Sequence, residues 1–195
     1  MRIHMIVHAN ELQETVTDVF LKQQSNRQNI KSTAASQRKK KLKLLEAYLM
    51  KHQDDLCEAI YADFRKPAAE VRLNELYPVV TEIRHAVRNL NRWMRPQRVE
   101  NTLMYSLTSS KVYHEPKGTC LIISPWNYPF NLTFGPLVSA IAAGNTAVIK
   151  PSEMTPNTSA LMRTWIADLF DENEVMLIEG DAGVATELLR LPFDH

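Results

Sequence analysis

Residues 118–153, GTCLIISPWNYPFNLTFGPLVSAIAAGNTAVIKPSE, constrain the fold more than any other stretch. Residues 118–124 are a short apolar run of the kind a strand buried on both faces shows. The run stops at Pro125, and Asn127 follows between two prolines that restrict the chain. Pro129 suits the first helical position, where a missing N–H costs nothing. Phe130, Phe134, Leu137, Val138 and Ile141 then predict one apolar helical face, with Gly144-Asn145 as its stop. Thr146 to Ile149 reads as a second apolar strand, with Lys150-Pro151-Ser152-Glu153 beyond its end. Two strands joined by a helix imply a right-handed crossover in a parallel sheet. Such sheets bind ligands outside the carboxyl ends of their strands, and Asn127, Lys150 and Glu153 all fall at that edge.

Three blocks here carry a resemblance: Pro125-Trp126-Asn127-Tyr128-Pro129-Phe130, Ala142-Ala143-Gly144-Asn145 and Lys150-Pro151-Ser152-Glu153. Asp63-Phe64-Arg65-Lys66-Pro67 and Trp93-Met94 upstream fit the same pattern. The chain from about residue 40 onward resembles the aldehyde dehydrogenases, in particular their class 3 branch, which oxidises fatty and aromatic aldehydes. The resemblance implies an α/β fold, with N-terminal helices leading into a partial Rossmann-like parallel sheet, an incomplete form of that family's cofactor domain. It also implies an aldehyde substrate, NAD or NADP as cofactor, and a homodimer for the full-length family. A strand and glycine turn follow the family's counterpart of Leu191-Pro192-Phe193-Asp194-His195, so the resemblance implies that the sequence stops within the fold.

The same resemblance assigns roles residue by residue. Asn127 is expected to aim its side-chain amide at the oxyanion formed when a thiolate attacks the carbonyl; the group is neutral and keeps its protons at working pH. Lys150 and Glu153 match the contacts to the adenosine ribose. A carboxylate there repels a 2′-phosphate, which favours NAD over NADP. Ile123, Ser124, Pro125 and Trp126 are expected to line the cofactor cleft, and Gly180 to let the backbone approach the adenine. The family's nucleophilic cysteine, its general-base glutamate and its pyrophosphate-binding glycine turn have no counterpart here. Cys57, in a helical pattern, and Cys120, inside the apolar strand, read as buried structural thiols.

Upstream, residues 1–10 read as frayed, residues 11–35 as a short helix carried by Leu12, Val16, Val19 and Phe20, and Ser25 to Ser36 as loop or helix start. Residues 36–62 predict one long amphipathic helix on Leu42, Leu45, Leu49, Leu56 and Ile60. Its opening run Arg38-Lys39-Lys40-Lys41 lacks interleaved aromatics and reads as a solvated face rather than a nucleic-acid patch. Leu73, Leu76, Val80, Ile83, Val87, Leu90 and Met94 predict a further helix, kinked at Pro78. Residues 95–109 read as irregular and 110–123 as a hairpin. Beyond Glu153 the pattern repeats: a helix capped by Thr155, a strand over 175–178, and a helix over 182–189 capped by Asp181. This divides the chain into a tail with a short helix (1–35), a helical lead-in (36–109) and an incomplete dinucleotide-binding unit (110–195).

A net charge of +1 gives no global field for nucleic acid, and no run approaches the roughly 18 apolar residues of a membrane span. Two distant cysteines and the lack of a leader pattern suggest a reducing, cytoplasmic setting. Three functions are compatible with these features. The chain is the N-terminal part of an NAD(P)-dependent aldehyde dehydrogenase, inactive alone; or a non-catalytic nucleotide-binding or subunit-pairing module; or a nonfunctional gene remnant.

Overall fold

The computed structural model describes residues 9–105 and 107–195; most of the tail expected to fray, residues 1–8, lies outside the described residues. The first element is a single helix, α1 (Ala9–Lys31), longer than the sequence predicts. Its polar half, Ser25 to Lys31, is helical because tertiary bonds hold it there. The amides of Gln23 and Asn26 donate to the carbonyls of Glu172 and Asn173, and Ile30 is buried. Context overrides weak local propensity. Val16 and Val19 pack with Val148, Val184 and Leu188, and Phe20 meets the Phe193 ring edge-on at 4.9 Å.

The expected long helix is two, α2 (Ala35–Lys51) and α3 (Gln53–Phe64), separated at His52 (φ −106°, ψ 22°). Asp54 and Asp55 open α3 with the charge a helix start favours, and His52 Nδ1 contacts Asp55 at 2.9 Å. The apolar phase survives the break: Leu42, Leu45, Leu49, Leu56 and Ile60 are all fully buried. Arg38 is not on a solvated face. It is 4% exposed, and its guanidinium donates to the carbonyls of Ala142 (3.1 Å), Ala143 (2.6 Å) and Lys31 (3.0 Å). One side chain thus serves the carboxyl ends of two helices, where cations are favoured.

Arg65 caps α3 in the left-handed conformation (φ 60°). A short turn, α4 (Ala68–Val71), passes through a wide π-helical turn, Arg72–Leu76, into α5 (Tyr77–Trp93). The wide turn replaces the kink expected at Pro78. A proline clashes with the carbonyl four residues back and cannot bond to it; here that carbonyl, of Asn74, accepts instead from Asn131 Nδ2 at 3.2 Å. The turn also shifts the helical phase. Leu73, expected on the apolar stripe, is 65% exposed, while Glu75 is fully buried.

The hairpin predicted at 110–123 is displaced. β1 (Gln97–Val99) pairs antiparallel with β2 (Ser110–Val112), so residues 95–109 are not wholly irregular, and every residue of this pair is exposed. β3 (Thr119–Ile123) cannot serve β2, because both its edges are taken. On one edge runs β4 (Thr146–Lys150), parallel and in register from Thr119↔Thr146 to Ile123↔Lys150. On the other, Asp194 N–H donates to Thr119 O and Leu121 N–H to His195 O, each at 2.9 Å.

The rest follows the predicted order. α6 (Asn131–Ala143) crosses from β3 to β4, α7 (Pro156–Leu169) from β4 to β5 (Val175–Leu177), and α8 (Ala182–Leu189) follows. The sheet is parallel throughout, in the order β3-β4-β5. This is an α/β fold, with helices leading into a Rossmann-like sheet. Gly144 ends α6 at φ +83°, and a Cβ there would lie 2.3 Å from the Arg38 guanidinium carbon. Asp181 caps α8 as expected, accepting from Gly183 N–H at 2.8 Å. Thr155 does not cap α7; its hydroxyl donates to Ser152 O. The cap comes from Asp63, 94 or more residues away, which accepts the backbone N–H groups of Asn157 and Thr158 at 3.1 and 2.8 Å. Among the described residues no helix is long and apolar enough to cross a membrane.

Candidate functional site

The carboxyl ends of β3 and β4 are locked together where β3 gives way to the proline loop. Ser124 N–H donates to Lys150 O at 3.1 Å. The Ser124 hydroxyl, buried, lies 2.6 Å from that of Thr133, which donates to Pro129 O at 2.6 Å. The Ser124 side chain is therefore part of the frame. Past it the chain turns outward: Pro125 and Asn127 are exposed, and Trp126 is 54% exposed beside the Phe64 ring. Ile123, in register with Lys150, is 45% exposed at the strand end.

At the end of β4, Lys150 is almost wholly buried, yet its ammonium reaches the carboxylate of Glu153 at 2.7 Å. The hydrogen bond from Lys150 draws the Glu153 carboxyl below the usual carboxylate range. Glu153 lines a cleft of about 610 Å³ with Pro151, Ser152, Pro156, Ser159, Glu179 and Gly180. Gly180 (φ +156°) is required by close packing, since a Cβ there would stand 2.2 Å from a Val184 methyl. The cleft gathers Lys150, Glu153 and Gly180, the first through its ion pair. Asn127, Trp126 and Pro125 stand on the neighbouring loop and do not line that cleft.

Two residues that touch this loop were not among the expected site residues. Lys66 donates to the carbonyl of Asn127 at 3.3 Å and to the carboxylate of Glu75 at 2.8 Å. Lys66 belongs to the quoted lead-in block but reads as a linker charge. Glu75 lies between Leu73 and Leu76 of the predicted stripe but not on it, and the wide turn brings it inward. The one available signal was a carboxylate in a stretch whose neighbours are largely apolar, since a buried acid needs partners.

Neither cysteine is placed to react. Cys57 is 7% and Cys120 4% exposed. Burial pushes both thiols up, Cys120 to about 11 with Asp194 adding to the effect. Thiolate is the reactive form, so both should resist a disulfide reagent at pH 8 in the folded chain. Titration with such a reagent should count no fast thiols in buffer and two in denaturant. Raising the pH toward 11 should expose Cys120 chemistry and weaken the fold together. A raised thiol pKa stabilises the fold fully below the unfolded value near 9, and that contribution disappears through about 11. Among the described residues no three His, Cys, Asp or Glu side chains gather as a metal site.

The parallel sheet, the proline loop and the ion pair at the strand ends make an α/β protein with polar groups gathered at the carboxyl ends of its strands. Residues 5–192 match the aldehyde dehydrogenase family, and the chain belongs to that family. It is 41% identical over 158 residues to 4,4′-diaponeurosporen-aldehyde dehydrogenase of Staphylococcus aureus, covering 81% of this chain and 34% of that protein. It is 38% identical over 154 residues to the dog aldehyde dehydrogenase named dimeric and NADP-preferring, covering 79% of this chain and 34% of that one. The solved substrate-bound structure of Staphylococcus aureus AldH superposes with a TM-score of 0.89 at 37% identity, covering 91% of this chain and 39% of that one. The chain thus spans between about a third and two fifths of the length of these relatives.

Proposed function

We propose that this chain supplies the oxyanion donor and the adenosine-side contacts of an NAD(P)-linked aldehyde oxidation to a carboxylic acid. The observation that carries this reading is the ion pair of Lys150 and Glu153, presented at the end of β4 beside a cleft that Gly180 also lines. Carboxylate and ammonium together match a ribose diol, which donates to the one and accepts from the other. The close contact between Gly180 and Val184 leaves no room for a side chain at that wall. A bound nicotinamide dinucleotide supplies the hydride acceptor. Asn127, exposed and with its amide free of protein partners among the described bonds, donates to the oxygen on which charge develops. The Glu153 carboxylate disfavours a 2′-phosphate, so NAD is the preferred cofactor; the neighbouring Lys150 charge keeps NADP from being excluded outright.

The attacking thiolate and the general base are not provided by Cys57, Cys120 or their surroundings, so residues 9–195 do not turn over aldehyde alone. The exposed arm carrying β1 and β2 supports a second role, in subunit pairing as a homodimer. Leu103 (92% exposed), Met104 (86%) and Leu107 (fully exposed) leave large apolar area uncovered there.

Calorimetric titration of the chain with NAD and NADP tests the reading. NAD is expected to bind more tightly than NADP. Glu153→Ala should weaken NAD on the order of tenfold, the worth of one charge-assisted hydrogen bond, and narrow the gap to NADP. Unchanged NAD affinity in that variant would remove the assignment.

A further inference from the structure

Glu75 is 0% exposed, and its two oxygens are divided between two tasks. One takes the Lys66 ammonium at 2.8 Å. The other accepts the N–H groups of Phe130 and Asn131, at 3.2 and 3.0 Å, where α6 begins. Lys66 has its own second contact, the carbonyl of Asn127, and its ammonium lies 4.6 Å from the centre of the Tyr128 ring.

The loop between them has few holds of its own. Among the described backbone bonds, no N–H from Pro125 to Pro129 donates to another backbone group. Two of those five positions are proline and have no N–H to give. The backbone on both sides of Pro129 is therefore fastened from outside by one ion pair, brought in by the α3–α4 linker and the wide turn. A serine or aspartate beside Phe130 would satisfy the start of α6 without burying a charge, and burying an ion pair costs several kcal/mol per ion before the partners repay it. What this arrangement adds over a simple cap is the grip on Asn127.

We infer that Lys66 and Glu75 form a positioning pair that fixes the Asn127 loop, and with it the direction of the Asn127 amide. The inference rests on the reading of Asn127 as the oxyanion donor, but its test does not.

The test uses the 195-residue chain and NMR, without substrate or cofactor. The double variant Lys66→Met/Glu75→Gln leaves no unpaired charge and is the form expected to fold even if Lys66→Met alone does not. In it the Asn127 side-chain amide and Trp126 indole signals should shift and broaden. Exchange of the Phe130 and Asn131 amides should rise by about tenfold, the effect of trading a carboxylate acceptor for a neutral amide oxygen. Exchange of Val148 and Ile149, in the centre of β4, should stay unchanged. Lys66→Arg, which keeps the charge and the donors, should retain the native Asn127 and Trp126 signals. Faster Phe130 and Asn131 exchange with Asn127 and Trp126 signals unmoved would reduce the pair to a helix cap and overturn the inference. Equal acceleration at Val148 and Ile149 would overturn it too, as a loss of global stability. Activity lost in Asn127→Ala speaks only to the donor role, so the two ideas fail separately.

Discussion

Asn127→Ala is expected to lower aldehyde oxidation by roughly 100-fold to 1,000-fold in kcat, the usual loss when one oxyanion donor is removed. The measurement needs a chain with a nucleophile. A chimera in which residues 9–195 replace the matching segment of Staphylococcus aureus AldH, 37% identical to them, provides one. The Michaelis constant should move far less than kcat, because the bond in question strengthens as charge gathers on the oxygen. Asn127→Asp should fall at least as far. It keeps the size of the side chain but sets a negative charge where another negative charge must form. Equal activity in Asn127→Ala would mean that the exposed amide plays no part in the chemistry.

The second large effect is on stability. Arg38→Met should destabilise the fold by roughly 3–5 kcal/mol, read from the shift of the urea midpoint. The carbonyls of Lys31, Ala142 and Ala143 would each lose a donor, that of Ala142 in the buried interior and the other two where they are part-buried. An unpaired buried polar group costs about 1–3 kcal/mol, partly offset here by no longer burying a cation. Against a typical total of about 5–15 kcal/mol, that loss leaves a substantial unfolded population. Arg38→Lys should recover only part of it, since one ammonium cannot fork across carbonyls from two helices as a guanidinium does. A shift below about 1 kcal/mol would show that solvent replaces the lost donors.

The same two residues mark what was and was not legible in the sequence. Asn127 stood out as a candidate because its neighbours are unusual, an apolar strand that ends abruptly, two prolines and a helix, and because the block they form resembles a known family. The β3-α6-β4 crossover and the later repeat of strand and helix were legible for the same reason, since periodicity and punctuation are local signals. Arg38 was misread because its role depends on Lys31, Ala142 and Ala143, which no local pattern joins to it. Asp63 escaped for that reason as well, its partners Asn157 and Thr158 being 94 and 95 residues on. The misplaced hairpin has another cause. Residues 110–112 do look like a strand, but which edge a strand finds is decided by which edges remain open, and β3 had none. Leu73 was assigned to the wrong side, and Glu75 went unnoticed, because a helix was assumed to keep one period throughout.

That change of period makes the region intolerant of deletion in a way it is not intolerant of substitution. Removing one residue between Val71 and Leu76 would convert the wide turn to ordinary α-helix and improve its local hydrogen bonds. Because the wide turn holds its extra residue locally, the helices on either side would keep their places, and the side chains inside the turn, Glu75 among them, would be re-aimed. Lys66 and Glu75 would then face different directions, although neither had been altered. An indel scan across residues 71–76 should therefore uncouple two things usually lost together: helicity retained, and the hold on a loop more than fifty positions downstream gone.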